Sequence, residues 1–188
     1  MSYIKDNHHY ITRLYLDQFG AAFMGLVLSL STSMSKNNTL ILLSSVFAIL
    51  FYMYLQYSVM WDLGARDIIR VEGGRMEYQP LIGLKMTARQ NIPNAIIAVG
   101  VVIGSIFGSA DGAFRYEWAG SLYVIAKGIG VVWEGMFNGL VELYSPHNPI
   151  IYVLMLIPPI FAGTVGYFAG TKNFTFLGLF GIYPKHKN

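Results

Sequence analysis

The chain has 188 residues, of which 54% are apolar and 12% charged, with 13 Lys and Arg against 10 Asp and Glu and no cysteine. A soluble domain carries about a quarter of its residues as charge, so this composition excludes an ordinary soluble globule and points to an all-α integral membrane protein, a small polytopic helical bundle. The missing cysteines exclude disulfides and thiolate metal sites. His8, His9, His147 and His186 lie in tail- or turn-like contexts, so no metal and no other cofactor is expected.

After a polar tail, the first predicted span covers residues 14–34, with Asp17 as its one charge and Arg13 a turn earlier as an interfacial partner. It exceeds the short apolar core of a secretory signal and is read as a retained span. The second span, 39–61, has no charge and ends in Tyr52, Tyr54, Tyr57 and Trp61, aromatic residues of the kind that settle at headgroup level. The "SKNN" between the two is a tight polar turn, which predicts an antiparallel hairpin.

The loop 62–91 is dense in charge, with five basic and four acidic residues. Asp62, Arg66 and Arg70 recur every four residues, so span two is expected to continue beyond the membrane as a helix, with Asp67 and Glu72 around the same turns. Gly73 and Gly74 end it and Pro80 marks a second boundary. A two-stranded turn around "EGGR" is the alternative there. Residues 81–89 form an amphipathic helix with Lys85 and Arg89 on one face, a shape for lying under headgroups or docking a protein. Because the loop is nearly neutral, a structured contact explains it better than a purely electrostatic anchor. Its candidate contact residues for a partner protein or lipid are Asp62, Arg66, Asp67, Arg70, Arg75, Lys85 and Arg89.

Span three, 92–110, opens with Asn91 as helix cap and Pro93 in the first turn. Gly100, Gly104, Gly108 and Gly112 recur every fourth residue and share one face. Small-residue faces let helix backbones approach closely in lipid, so this face is expected to pack against another span of the same chain. A homo-oligomer interface is the sharper reading of it. Shorter echoes are Ala21 with Gly25, Gly135 with Gly139 and Gly166 with Gly170.

Residues 111–149 are predicted to form a re-entrant or amphipathic segment on the outer side. Lys127, Glu134, Asn138 and Glu142 fall close to one helix face in an otherwise apolar stretch. A narrow ionisable stripe of this kind suits a protein interior or a water-filled cavity, and glycine-interrupted helices are where transporters place binding sites. Asp111, Arg115 and Glu117 would extend such a solute or ion site at the outer mouth. The last span, 150–171, should kink at Pro158 and Pro159.

Four spans put ten Lys and Arg on the side of both termini and three on the other, whereas five spans give seven against five. The positive-inside rule therefore favours four spans in a cell membrane, with both termini and the 62–91 loop cytoplasmic. No nucleophile elbow, zinc-protease motif, phosphate loop or dinucleotide fingerprint occurs, so no catalytic residue is assigned. "DLGARD" lacks the second acidic pair that lipid-headgroup transfer chemistry needs. Basic residues interleaved with acids also exclude a nucleic-acid patch.

The length and helical make-up would suit the substrate-binding subunits of energy-coupling vitamin transporters. That likeness is one of size and class, those proteins usually have more spans, and no residue role follows from it. The expected function is binding or passage of a small polar or cationic solute. The alternative is a noncatalytic membrane subunit whose charged loop docks a partner.

Overall fold

The computed structural model describes residues 3, 7–108, 116–144 and 148–174. Every regular element among them is a helix. Three are long and apolar enough to cross a membrane, or up to five if each of two bent pairs is one crossing.

Helices α1 (His8–Ser33) and α2 (Asn38–Glu72) form the expected antiparallel hairpin. Asn37 caps α2, its side-chain oxygen accepting from the N–H groups of Thr39 at 3.0 Å and Leu40 at 3.3 Å, which satisfies donors that a helix start leaves open. The register runs from Thr32 against Ser44 at the turn, through Gln56 Nε2 donating to the Leu14 carbonyl at 3.2 Å, to the Tyr10 hydroxyl donating to Asp62 at 3.0 Å. At 35 residues, α2 rises about 52 Å. That is longer than the ~30 Å apolar thickness of a bilayer, and the charged last turns to Glu72 are helical, as the four-residue spacing implied. Gly74, at φ 67°, occupies the left-handed region after the helix stops. Because helix continues to Glu72, the two-stranded alternative around "EGGR" is not formed.

Helix α3 (Ile82–Gln90) starts at this charged end, where Gly83 lies against the Tyr167 ring, and reaches Gln18 of α1 through Gln90. Its buried residues, Ile82, Gly83, Met86, Thr87 and Gln90, pack inward. The apolar side expected to face headgroups or a partner is therefore covered by this chain, leaving Leu84, Lys85 and Arg89 outside. Helix α4 (Ile92–Gly108) continues after a 53° bend. Pro93 explains that bend, since it lacks the N–H that would bond to Arg89 and its ring crowds the same carbonyl.

Helix α5 (Glu117–Trp133) runs back antiparallel along α4. A Cβ at Gly104 would sit 2.7 Å from the Tyr123 nitrogen, one at Gly100 would sit 3.0 Å from the Ala126 Cβ, and Gly130 faces Ile97. The glycine face of α4 is thus occupied at Gly100 and Gly104 by α5; Gly108 is buried, and Gly112 lies outside the described residues.

At Trp133 the chain bends by 89° into a 3-10 turn (Gly135–Phe137) and α6 (Asn138–Tyr144). Gly135 abuts the Ala22 carbonyl, Gly25 abuts the Met136 backbone and Gly139 abuts Ser45 and Ile41. The chain therefore climbs between α1 and α2 toward their connecting turn, where Ser33 bonds Glu142. Helices α7 (Ile150–Leu154) and α8 (Ile157–Thr171) follow. Pro158 and Pro159 lie in the first turn of α8, which places the expected interruption just before them. Helix α8 runs parallel to α2, with Gly166 on Tyr57, Gly170 on Trp61 and Gly64 on Tyr167, all backbone on backbone.

Two apolar clusters fill the interior. One gathers Ala21, Tyr52, Ile97, Val101, Met136 and Tyr152; the other gathers Tyr10, Leu14, Met60, Leu63, Met86 and Tyr167. Gln18, Gln56, Gln90, Asn91 and Asn94, all buried, fall between them along their helices. The outer faces are apolar too, with Leu16, Phe23, Leu43, Leu50, Ile96, Ile106 and Val124 exposed. A single such residue needs no explanation, but a continuous apolar exterior does.

Candidate functional site

The two helix breaks meet in the buried polar layer. At the α3–α4 joint, Asn91 does not cap α4 with its side chain. It donates to the Thr87 carbonyl and to Gln90 Oε1, each at 3.0 Å, and accepts from Asn94 at 2.9 Å. Gln90 donates to Gln18 Oε1, and Gln18 donates to Asn94 Oδ1 at 2.8 Å. These four amides close a ring in which each donates to the next. Trp133 Nε1, a donor only, enters the ring at Asn94 Oδ1 at 2.7 Å. It fixes that amide's orientation, and hence the direction of the whole ring. Helices α1, α3, α4 and α5 are joined here by bonds that apolar surroundings strengthen.

Glu134 is the next residue, at the tip of α5. It is 2% exposed, and neither carboxylate oxygen has a hydrogen-bond partner. The residues around it, Trp133 and Met136, belong to or pack on the apolar cluster that also holds Tyr52 and Tyr152. Gln90 lies beside the Tyr52 hydroxyl without making a well-aligned hydrogen bond to it, and the Gln56 Oε1 is likewise unpartnered. The buried groups left open around this joint are thus two carboxylate oxygens, one amide oxygen and one phenol. Such groups are costly to bury without partners. An arrangement rich in acceptors and short of donors suits a positively charged or strongly donating ligand.

The other residues expected in the solute site separate, because the 89° bend divides the stripe. Lys127 is half-buried on α5 beside Tyr123, its Nζ 3.5 Å from that hydroxyl and 5.4 Å from the ring centroid. It does not pair with Glu134. Asn138 donates to the Val131 carbonyl at 2.8 Å, bridging the bend. Glu142 is exposed and bonded by Ser33; Glu117 is exposed in the first turn of α5. Asp111, Arg115, His147 and His186 lie outside the described residues. Among the described residues no group of His, Asp and Glu could hold a metal ion.

The residues expected to contact a partner divide as well. Asp62 accepts from Tyr10, and Arg66 donates to Asn7 and lies over the Tyr10 ring, 4.7 Å from its centroid. Asp67, 1% exposed, accepts from Tyr3 and from Tyr167 at 3.3 Å, with Arg70 at 3.9 Å. Burial, followed by the bond to Asp67, pushes the Tyr3 hydroxyl above its ordinary pKa. Arg75, Lys85 and Arg89 remain exposed. Asp17, expected to pair with Arg13, is close enough to feel it but forms no ion pair within 4 Å.

Sequence reasoning did not single out Gln18, Gln56, Gln90, Asn94 or Trp133, and it set Tyr52 among the aromatics at headgroup level, whereas the packing of α1, α2 and the 3-10 turn buries it fully in the core. The available signal was an amide within each of several apolar spans, a residue type that needs a partner there. No protein-family model matches the chain, and neither do the curated proteins or the solved structures compared with it.

Proposed function

We propose that the chain is a multi-pass membrane protein of transporter or channel type that binds and passes a small polar or cationic solute, with Glu134 as the charged group of its site. The observation that carries this reading is the Glu134 carboxylate, buried and unpartnered where two broken helices meet. Discontinuous helices joined at mid-depth are how transporters expose polar groups inside an apolar bundle, and an ionisable group kept there is functional by default. The contacts support four crossings, by α1, α2, the bent α3–α4 pair and the α7–α8 pair. They support residues 117–144 as a re-entrant element entered from the side of the α1–α2 turn. Arg66, Arg70, Arg75, Lys85 and Arg89 at the opposite end favour a cytoplasmic location for that end and for the termini.

The test is uptake of methylammonium into vesicles reconstituted with the full chain. Glu134→Gln keeps the shape and removes the charge, and is expected to abolish the protein-dependent flux; unchanged flux removes Glu134 from the site. A second reading, a noncatalytic subunit docking a partner protein through its charged end, rests on the exposed Arg75, Lys85 and Arg89. It predicts that alanines at these three positions release a copurifying protein.

A further inference from the structure

A cavity of about 270 Å³ opens on the exterior between α2, α6 and α7. Ile49, Phe137, Leu140, Ile151, Leu154 and Met155 line it, and its whole lining is apolar. Leu154 at its rim is exposed, as are Leu50, Val153 and Ile157 nearby in sequence, so the mouth faces the surface that lipid would cover. Its inner wall belongs to the Glu134 region. Phe137 closes the turn that begins at Glu134, its N–H bonding to the Glu134 carbonyl at 2.8 Å. Phe137 and Met155 share one buried cluster with Tyr52, Tyr152 and Met136, the last only two residues beyond Glu134. An apolar chamber open to the side therefore shares Phe137 with the turn that begins at Glu134, whose carboxylate is unpaired.

Resting on the function proposed above, we infer that the solute is an amphiphilic monovalent ammonium ion, which enters from the bilayer with its alkyl part in this cavity and its charged head at Glu134. One carboxylate without a second acid beside it matches a single positive charge rather than a divalent metal. The unpartnered Tyr52 hydroxyl and Gln56 oxygen can take the remaining ammonium hydrogens. Tyr52 and Tyr152 add ring faces of the kind that attract cations. A phospholipid acyl chain alone would fill the cavity but leave the carboxylate unpaired, so charge complementarity favours the ammonium.

The test is equilibrium binding of hexylammonium and methylammonium to the full chain in nanodiscs of phosphatidylcholine. Hexylammonium is expected to bind the native chain more tightly than methylammonium. Leu154→Trp, a rim change at an exposed position, is expected to weaken hexylammonium binding about tenfold, the worth of roughly two buried methylenes, with methylammonium unchanged. Leu140→Trp should act the same way, and Leu154→Trp decides the matter if that half-buried variant fails to fold. Equal binding of the two amines, hexylammonium binding that survives a folded Leu154→Trp, or a copurified phospholipid that hexylammonium does not displace would overturn the inference while leaving Glu134 in its role. Binding of both amines unaffected by Glu134→Gln would instead remove the underlying function, and this inference with it.

Discussion

Trp133 Nε1 donates to Asn94 Oδ1 at 2.7 Å, tying the tip of one broken helix to the first turn of another. Through this bond the tip of α5 and the α3–α4 joint share one hydrogen-bonded ring. The position of Glu134 follows from it, because the carboxylate is attached to the residue next to the indole.

Trp133→Phe should therefore do more than remove packing. It deletes the donor that fixes the direction of the amide ring and leaves Asn94 Oδ1 with Gln18 as its partner, at a cost of about 0.5–1.5 kcal/mol for the lost bond. Thermal unfolding in detergent measures this. Because Gln18 and Trp133 share the same acceptor, the Gln18→Ala and Trp133→Phe effects should not add; simple additivity would argue that the ring does not act as a unit.

Gly135 and Gly128 lie on either side of the tip and predict opposite outcomes. A Cβ at Gly135 would overlap the Ala22 carbonyl, a backbone atom that cannot step aside, whereas a Cβ at Gly128 meets nothing within 4 Å. Gly135→Ala should destabilise by about 2 kcal/mol or more, while Gly128→Ala should be neutral or stabilise by about 0.5–1 kcal/mol. Equal unfolding midpoints for the two variants would contradict the close crossing of the turn with α1.

Tyr3 and Asp67 fasten the N-terminal segment to the charged end of α2. The bonded Tyr3 hydroxyl loses its proton less readily than in the unfolded chain, so its contribution is present below the ordinary tyrosine value of 10.0 and fades as the pH rises beyond it. Limited proteolysis near residue 7 should quicken above about pH 10. Tyr3→Phe should already cut faster at neutral pH and lose most of that alkaline dependence. A variant no more readily cut than the native chain would show that the contact does not hold the segment.

The absence of cysteine permits a direct reading of topology. Single cysteines replacing the exposed Lys36, Glu117 and Glu142 should all react with an impermeant maleimide from one side of sealed vesicles, and one at the exposed Arg75 from the other. Labelling of positions 117 and 142 from opposite sides would make residues 117–144 a fifth crossing and defeat the four-crossing arrangement.

Much of the architecture was legible because local chemistry dictates it. Long apolar windows specified helices, the polar "SKNN" turn and the glycines at 73 and 74 bounded α2, and Pro93 and Pro158 mark the starts of α4 and α8. The periodic glycines pointed to a close crossing with another span of the chain. What periodicity misplaced was the stripe through Lys127, Glu134, Asn138 and Glu142. It assumed one straight helix, whereas Gly135 allows the chain to turn against α1 and send those side chains in different directions.

The sequence by itself determined helix type, the apolar exterior and the charged end, since each depends on residues within a few turns of one another. Only tertiary structure decided that Gln18, Gln90, Asn91, Asn94 and Trp133 would complete one another's hydrogen bonds and that Glu134 would be left without a partner. Donors and acceptors on α1, α3, α4 and α5 have no partner until the helices pack, and the identity of each partner is set by the level at which those helices cross. The same packing withdrew Asp67 from the charged surface and engaged Asp62 and Arg66 with Tyr10, because the N-terminal tyrosines and Tyr167 reach them only in the folded bundle.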